Sequence, residues 1–411
     1  MKLLDVKLRI KALIKWLRWR WHCLRATGKH MPRGTYPVFY VAGWYGTETA
    51  GDKLILLGIA QQIWAVNPKA SIVLITSNIY YSVSSINELA SLASSSGSHP
   101  ELVSQLLNQV EVRGDFIVPR LGKGDILIFG GGPIMDDATL FLWLCWVKRL
   151  HRRGGVSGIL GCGWGPLRLK LTRRWAQELV DAADGTILRQ HSNMVTTTSL
   201  DPSFLTWPII RHYRSDRRNG TAINIRFVPK QYGAPPAKNI NQQITWLEDK
   251  LSWLQTIVPL SGVSIFSTHE LDQEGDLKTT ATLMSHFKKN VDMTPPTLHD
   301  ILSLLGHSQF SIAMRYHGAI ISLLMGCKVL GIDYNKGGGK LSFLYNDLGF
   351  STPPASLFDG DSPNNYQIEN WNTLDTETIE VSLISAEKTY QKLVESLVEK
   401  LKENITKPRI R

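Results

Sequence analysis

Short apolar segments of this chain run repeatedly into glycine-rich or polar turns and then into segments with helical periodicity. They occupy residues 37–42, 71–76, 125–129, 155–160, 221–227, 262–267, 310–314 and 328–332. Strands that alternate with helices over short turns form parallel sheets with helices on both faces. Because the pattern stops near residue 200 and restarts near 221, we predict an α/β fold with two Rossmann-like parallel-sheet domains.

These patterns divide the chain of 411 residues into four parts, and the length leaves room for two domains. We assign a leader to 1–35, an N-terminal domain to 36–205, a C-terminal domain to 206–375 and a long charged helix to 376–411. The stretch 200–220 contains proline and several arginines, so we expect an inter-domain linker there.

Nearly all of the net positive charge of the chain lies in the leader. The formal net charge is +11, yet residues 1–36 carry ten basic groups against one acidic group. The other 375 residues carry 36 basic and 34 acidic groups and are nearly neutral. A general nucleic-acid-binding face is therefore not expected.

The leader has the pattern of an amphipathic helix. Its apolar positions recur at spacings of three and four residues and are Leu3, Val6, Ile10, Leu13, Leu17 and Trp21. Lys7, Lys11, Lys15 and Arg18 are predicted on the other side. Three alternatives remain: the helix binds an anionic membrane surface, it docks on the surface of the protein itself, or the segment is a disordered tail.

Cysteine usage indicates a reducing compartment. Cys23, Cys145, Cys162 and Cys327 are scattered without the paired spacing of a disulfide framework or a zinc site. No apolar run reaches transmembrane length. We therefore expect a cytoplasmic protein, which the leader could hold on the inner face of a membrane.

The most informative site pattern is an arginine and a histidine that follow a buried strand. Arg315 and His317 come directly after the apolar run 310–314 and open an apolar helix. This arrangement suits an anion and a proton-transfer step beside it. A simpler interpretation is that Arg315 pairs with a carboxylate and His317 caps the helix.

Other cations of the second half also follow predicted strands or glycine loops. Arg226 ends the run 221–227, and Lys340 follows a glycine-rich loop. Together with Arg315 and His317 they suit a small ligand with phosphate or carboxylate groups. His269 and Asp276 are candidates for the same rim, although a solvated loop explains them equally well.

Glycine turns follow three predicted strands of the first half, where ligands of such folds bind. They contain Gly43, Tyr45, Gly46, Gly51, Asp52, Gly130, Gly131, Gly132, Gly163 and Gly165. Tight strand-to-helix corners are the alternative explanation. None of the turns is a dinucleotide fingerprint or a P-loop.

No metal-binding pattern emerges from the sequence. Asp136 and Asp137 follow the second glycine turn, and we interpret them as carboxylates at a helix N-terminus, where the dipole favours them. No metal and no cofactor are expected.

In combination, these motifs resemble the polysaccharide pyruvyl transferases over roughly residues 36–350. The resemblance is carried by Gly43-x-Tyr45-Gly46 with Gly51-Asp52, Gly130-Gly131-Gly132, Gly163-Trp164-Gly165-Pro166, Arg189 with Ser192, Asp201-Pro202, Arg226, Met314-Arg315-Tyr316-His317, Tyr334 and Lys340. Its strength is that many motifs occur in the right order.

The resemblance implies a fold similar to the GT-B glycosyltransferases, with the acceptor in domain 36–205 and the donor in domain 206–375. It implies phosphoenolpyruvate as donor and a sugar of a surface exopolysaccharide, or of its lipid-linked precursor, as acceptor. The product would be a pyruvate ketal, with release of phosphate. Arg226, Arg315 and His317 match the family's donor and catalytic positions, and Lys340 or Lys336 would reach the donor.

Two other functions remain open at this point. A nucleotide-sugar glycosyltransferase of the same architecture would need an acidic residue near 331–345 that reads the ribose or diphosphate. A non-catalytic partner in polysaccharide assembly would need neither Arg315 nor His317.

Overall fold

A computed structural model of the chain shows two compact units. It describes residues 2–25, 37–47, 49–114, 121–165, 167–191, 195, 197–228, 232–235, 240–258, 262–269, 275–335, 338–358 and 367–406. Three residues named from the sequence, Pro166, Ser192 and Lys336, lie outside the described residues, as do 26–35 of the leader.

Each unit is assembled from separate segments of the chain. Unit 1 comprises Met1–Thr47, Asp52–Thr206 and Leu383–Arg411, and unit 2 comprises Glu48–Gly51 and Trp207–Ser382. The last helix, α14 (Thr376–Thr406), begins in unit 2 and contributes most of its length to unit 1.

Unit 1 is a parallel sheet with helices. Its strands are β1 (Val38–Ala42), β2 (Ser71–Thr76), β3 (Val110–Gly114), β4 (Asp125–Phe129), β5 (Pro133–Ile134), β6 (Val156–Trp164) and β7 (Gly185–Leu188). Its helices besides α14 are α1 (Lys2–Arg25), α2 (Ala50–Val66, whose first two residues belong to unit 2), α3 (Ile79–Ser95), α4 (Pro100–Asn108), α5 (Thr139–His151) and α6 (Lys170–Ala182). The described strands are ordered β3-β2-β1-β4-β6, and β5 and β7 both pair with β6.

Unit 2 contains the second parallel sheet. Its strands are β8 (Thr221–Asn224), β9 (Val263–Ile265), β10 (Val291–Met293), β11 (Phe310–Ala313), β12 (Lys328–Asp333) and β13 (Ala355–Ser356). Its helices are α7 (Trp207–Ile210), α8 (Ile240–Leu251), α9 (Leu254–Ile257), α10 (Asp276–His286), α11 (Leu298–His307), α12 (Tyr316–Leu324) and α13 (Lys340–Asp347). The order β10-β9-β8-β11-β12-β13 is that of a Rossmann sheet.

The strands are apolar because helices cover the sheets. All five residues of β4 are buried, as are the last five of β2, and such continuous burial is typical of parallel sheets. Each unit has its own hydrophobic cluster around its sheet. The predicted fold class, α/β with two Rossmann-like parallel-sheet domains and a long C-terminal helix, is confirmed.

Three local predictions differ from the structure. The serine-rich sequence of 82–113 predicts helical structure throughout, but the stretch ends in β3, an edge strand whose residues are half-buried and carry only a short alternating pattern. The boundary between the two units falls between Thr206 and Trp207, inside the predicted linker 200–220, but this segment is not extended: it forms a 3₁₀ helix at Pro202–Thr206 followed by α7, and Phe204 and Trp207 are buried.

The third difference concerns β8, which ends at Asn224 and not at Phe227. The Asn224 side chain donates to the carbonyl of Phe266 at 2.9 Å, and the Ile225 N–H donates to the Thr280 hydroxyl at 3.0 Å. From Asn224 onward, these bonds to side chains take the place of the backbone hydrogen bonds that would continue the strand. Arg226 consequently lies two residues beyond the strand.

Candidate functional site

Unit 2 brings two predicted cations to the point where the strand order reverses. The chain winds outward from β8 in one direction and from β11 in the other, and these two strands pair with Asn224 opposite Ala313. Arg226 and Arg315 each follow their strand by two residues. Ligands of open α/β sheets bind at this position, beyond the carboxyl ends of the strands.

Arg315 is held by a buried carboxylate. Its Nε donates to Asp276 Oδ2 at 2.7 Å and its Nη2 donates to Oδ1 at 2.9 Å. Asp276, at the start of α10, is 0% exposed. The simpler interpretation of the sequence was thus right about the pairing of Arg315. A two-pronged pair of this kind fixes the plane of the guanidinium group.

Arg226 is held by aromatic rings. Its Nη1 donates to the Tyr334 hydroxyl at 2.8 Å, and its guanidinium carbon lies 4.5 Å from the Tyr334 ring centroid and 5.7 Å from that of Tyr232. Burial raises the pKa of Tyr334 above its ordinary value. The phenol is therefore neutral near pH 7, and this bond leaves the charge of Arg226 in place.

His317 is the second residue of α12, two positions after the Arg315 N-cap. Its half-buried ring lies edge-on to Tyr316, with 5.1 Å between centroids. Within unit 2, a side chain at Gly51 would collide with this imidazole, so only glycine permits the approach. The same segment is anchored by the Ala50 N–H, which donates to the Thr268 carbonyl at 2.8 Å.

Two further sequence candidates lie at the carboxyl ends of neighbouring strands. His269 follows β9, and its N–H donates to the Ser267 hydroxyl at 3.0 Å. Lys340 is the first residue of α13, after β12. The N-terminal turn of α13 is already capped by Asp333, which accepts from the Ser342 N–H at 3.2 Å and from the Ser342 hydroxyl at 2.9 Å.

In unit 1 the corresponding reversal lies between β1 and β4, and glycines occupy it. Gly43 follows β1, and Gly130 to Gly132 follow β4. Gly131 and Gly132 have φ angles of 82° and 71°, in the region that favours glycine. Tyr45 packs against Gly131, where an added Cβ would lie 3.0 Å from the phenol oxygen.

A cavity of about 240 Å³ opens at this edge of unit 1. Aromatic rings line much of it, and the lining includes Trp44, Tyr45, Trp143, Trp146, Thr139 and Lys15. Tyr45 and Trp146 are only 4% and 1% exposed. Among the described residues, neither the Tyr45 hydroxyl nor the Trp146 indole N–H has a hydrogen-bond partner. Buried polar groups of this kind are rare and need an explanation.

Several predicted residues of unit 1 have internal structural contacts. Arg189 Nη1 forms a buried ion pair with Asp201 Oδ2 at 2.7 Å, and its guanidinium group packs over Gly163. Gly165 packs against Met135. Asp52 lies in the first turn of α2, and Gly46 in the turn before it.

Asp136 and Asp137 bind helix N-termini, as predicted, but not the same one. Asp137 accepts from the Thr139 N–H at 2.6 Å at the start of α5. Asp136 accepts from the Arg168 N–H at 2.8 Å and from the Thr172 hydroxyl, next to α6. No group of three or more potential metal ligands occurs in the part of the chain that the structure describes.

Sequence reasoning named Asp276 as a candidate but missed the contacts that hold the site together. The pairing of Asp276 with Arg315 spans 39 positions, so no local pattern could reveal it. Trp143 and Trp146 belong to a helix whose tryptophan content was evident, but their cavity became visible only in three dimensions. The short side chain of Asn224 accepts from the Arg315 N–H at 3.2 Å and ties β8 to the site.

The fold and this site define an α/β protein with two guanidinium groups held at the strand reversal of unit 2. A family model described as polysaccharide pyruvyl transferase matches residues 50–336. The chain therefore belongs to the polysaccharide pyruvyl transferase family, which makes it a transferase with a saccharide acceptor. No curated protein matches the chain significantly.

Solved structures with similar folds include sugar-nucleotide enzymes. UDP-GlcNAc 2-epimerase from Methanocaldococcus jannaschii is 12% identical to this chain. The alignment covers 87% of this chain and 98% of the epimerase chain, with a TM-score of 0.46. The heptosyltransferase WaaC of E. coli is 9% identical and covers 86% and 99%, with a TM-score of 0.34. These similarities do not bear on function, and the GT-B-like arrangement of the two domains stays a prediction.

Proposed function

We propose that the protein transfers pyruvate from phosphoenolpyruvate to a sugar of a surface polysaccharide or its lipid-linked precursor, as a ketal, and releases phosphate. The observation that carries this proposal is that Arg226 and Arg315 are both held at the strand reversal of unit 2, in a chain of this family. The imidazole of His317 follows Arg315 by two residues.

The donor has two anionic groups, a carboxylate and a phosphate, and the site offers two guanidinium groups. Arg226 and Arg315 are nearly buried, so charge-assisted hydrogen bonds formed there are stronger than in water. Asp276 and Tyr334 fix the two guanidinium groups in advance, which lowers the ordering cost of binding. Lys340 is a further candidate for a phosphate contact from the same sheet edge.

His317 is the proposed general acid. In the reaction, the imidazolium gives its proton to the methylene carbon of the enol phosphate, and the central carbon becomes cationic. A sugar hydroxyl adds to that carbon and loses its proton. Phosphate then leaves with the electrons of its carbon–oxygen bond, a second hydroxyl adds and loses its proton, and the ketal ring closes.

We further propose that the cavity of unit 1 binds the acceptor sugar. Aromatic faces pack against the C–H faces of a sugar ring, and the Tyr45 hydroxyl and Trp146 indole N–H would gain partners from sugar hydroxyls. A volume of about 240 Å³ is small for a drug-sized ligand, which favours a single ring over an oligosaccharide.

The test is a product assay with phosphoenolpyruvate and a panel of model and lipid-linked sugars. Phosphate release and an acid-labile pyruvate adduct should appear together, and both should disappear in His317→Gln. Transfer of a sugar from a UDP- or GDP-sugar, without phosphoenolpyruvate turnover, would favour the glycosyltransferase alternative. Asp333, the acidic residue that this alternative could use, is instead engaged in capping α13.

A further inference from the structure

Helix α1 has a face that is docked on unit 1. Ala12 and Trp19 are 3% and 4% exposed and belong to the core cluster that contains α5. Lys15 donates to the Thr139 hydroxyl at 2.6 Å and lies 3.5 Å from Asp137. The Arg149 guanidinium group lies 5.5 Å from the centre of the Trp19 ring. The sequence alternative of a docked helix is thus correct for this face, and Lys15 belongs to it.

The opposite face is apolar and exposed. Its side chains are between 46% and 54% exposed and are Val6, Ile10, Leu13, Ile14, Leu17 and Trp21. Because successive helical residues differ by about 100°, these six positions fall within one arc of about 100°, turned away from Ala12 and Trp19. No charged residue interrupts the arc. We name these six residues the apolar stripe.

Exposed cations border the apolar stripe on both sides. Arg9 and Arg20 lie along one border, and Lys7, Lys11 and Arg18 along the other. The guanidinium group of Arg20 lies 5.6 Å from the centre of the Trp16 ring. Long basic side chains beside an apolar arc extend toward lipid headgroups while the apolar groups enter the acyl boundary.

The charge pattern indicates which kind of surface binds the apolar stripe. A second copy of α1 would bring the same five cations against this face, and like charges repel. An apolar protein surface would bury the apolar stripe but would offer no negative charge to the basic residues at its borders. An anionic lipid surface satisfies both, through burial of the stripe and attraction of the basic residues.

We propose that the apolar stripe binds an anionic membrane surface while the other face of α1 stays docked on unit 1. The helix then lies in the plane of the membrane. Within the described residues, no helix has the length and apolar character to cross a bilayer. This inference does not depend on the reaction catalysed, but it places the enzyme where lipid-linked sugars occur.

Deletion of α1 is a poor test, because it would uncover the core residues that pack on Ala12 and Trp19. Substitutions on the exposed side avoid this problem. The full-length protein should be compared with Leu13→Ser/Leu17→Ser and with Lys11→Gln/Arg18→Gln. Matched controls on the exposed side of α14 are Val381→Ser/Ile384→Ser and Lys388→Gln/Lys392→Gln.

The measurement is co-sedimentation with vesicles of phosphatidylcholine alone or with phosphatidylglycerol. Wild type should bind the anionic vesicles, and less so as salt rises. Each stripe or border variant should bind at least tenfold more weakly, because the border variant loses two attractions to anionic lipid and the stripe variant loses the burial of two leucine side chains. Both controls should match wild type, and phosphate release with a soluble acceptor should be unchanged throughout.

Three results would overturn the proposal. The first is no binding of wild type to anionic vesicles, and the second is equal binding by wild type and the stripe variant. The third is a dimer in solution that Leu13→Ser/Leu17→Ser dissociates, because it would assign the apolar stripe to contact between copies. Thermal melting of each variant should match wild type, since the altered side chains are exposed.

Discussion

The two units have the same kind of parallel sheet but differ at the point where the strand order reverses. In unit 1 that point holds glycines, tyrosine and tryptophan around a cavity. In unit 2 it holds Arg226 and Arg315 with their buried partners, followed by His317. One scaffold thus presents backbone and aromatic surface in one unit and fixed positive charge in the other. The difference suggests that binding of the neutral sugar and of the anionic donor is divided between the units.

The largest expected effect comes from His317 in unit 2. His317→Gln should lower turnover by about 10²–10⁴-fold and leave donor affinity nearly unchanged, because a general acid acts in the transition state. Steady-state kinetics and donor titration together measure both quantities. His307→Gln, at an exposed position, is the matched control. Near-normal turnover in His317→Gln would move the search for the proton donor to His269.

Donor affinity should depend on the geometry of Arg226. Arg226→Lys should weaken phosphoenolpyruvate binding about 10–100-fold, because an ammonium group cannot replace a planar fork in charge-assisted bonds. Tyr334→Phe, which removes only the 2.8 Å hydrogen bond, should cost less, about fivefold. Calorimetric titration distinguishes these results from an unchanged affinity, which would exclude Arg226 from the donor site.

A change in the cavity of unit 1 should affect the other substrate. Trp146→Phe keeps an aromatic ring but removes the indole N–H, so the KM for the acceptor should rise about fivefold while the KM for phosphoenolpyruvate stays constant. Trp175→Phe, in the same core but outside the cavity, serves as control. Equal effects on both KM values would contradict the assignment of acceptor binding to unit 1 and donor binding to unit 2.

The smallest expected effect concerns the stability of unit 1. Burial alone would raise the pKa of Asp184, but hydrogen bonds from His151, Lys400 and the Ser157 N–H outweigh it and lower this pKa to about 2. A depressed carboxyl pKa stabilises the folded state above the unfolded value, and this contribution is lost as pH falls from about 4 to about 2.

Asp184→Asn should therefore lower the free energy of unfolding at pH 7 by roughly 1 kcal/mol, limited by the exposure of Lys400. The difference from wild type should shrink as pH falls toward 2.5. Denaturant unfolding across this range measures it, with the exposed Asp181→Asn as control. A difference independent of pH would contradict the ion pair between Asp184 and Lys400.

Much of the fold could be predicted from the sequence because it depends on local patterns. Strands such as β4 and β12 are continuous apolar runs that end at glycine or polar turns, and these are local signals. Edge strands were missed where the runs shorten, as at β10 and β13, which contain three and two residues. The strand order could not be read in detail, because it depends on long-range pairing.

The site divides in the same way. Arg226, Arg315 and His317 could be singled out because each stands next to a strand end in the sequence. The pairing of Asp276 with Arg315 and the cavity around Trp146 could not, because these contacts join distant elements. Membrane binding of α1 was left open by the sequence, because only the structure shows that the helix docks through Ala12 and Trp19 and leaves the apolar stripe exposed.

The central claim, that unit 2 binds phosphoenolpyruvate, is tested most directly by calorimetric titration of the full-length protein with phosphoenolpyruvate, UDP-glucose and GDP-mannose. We predict saturable binding of phosphoenolpyruvate that is weakened by Arg226→Lys and retained in Trp146→Phe, with no binding of either nucleotide sugar. Binding of a nucleotide sugar without binding of phosphoenolpyruvate would contradict the claim.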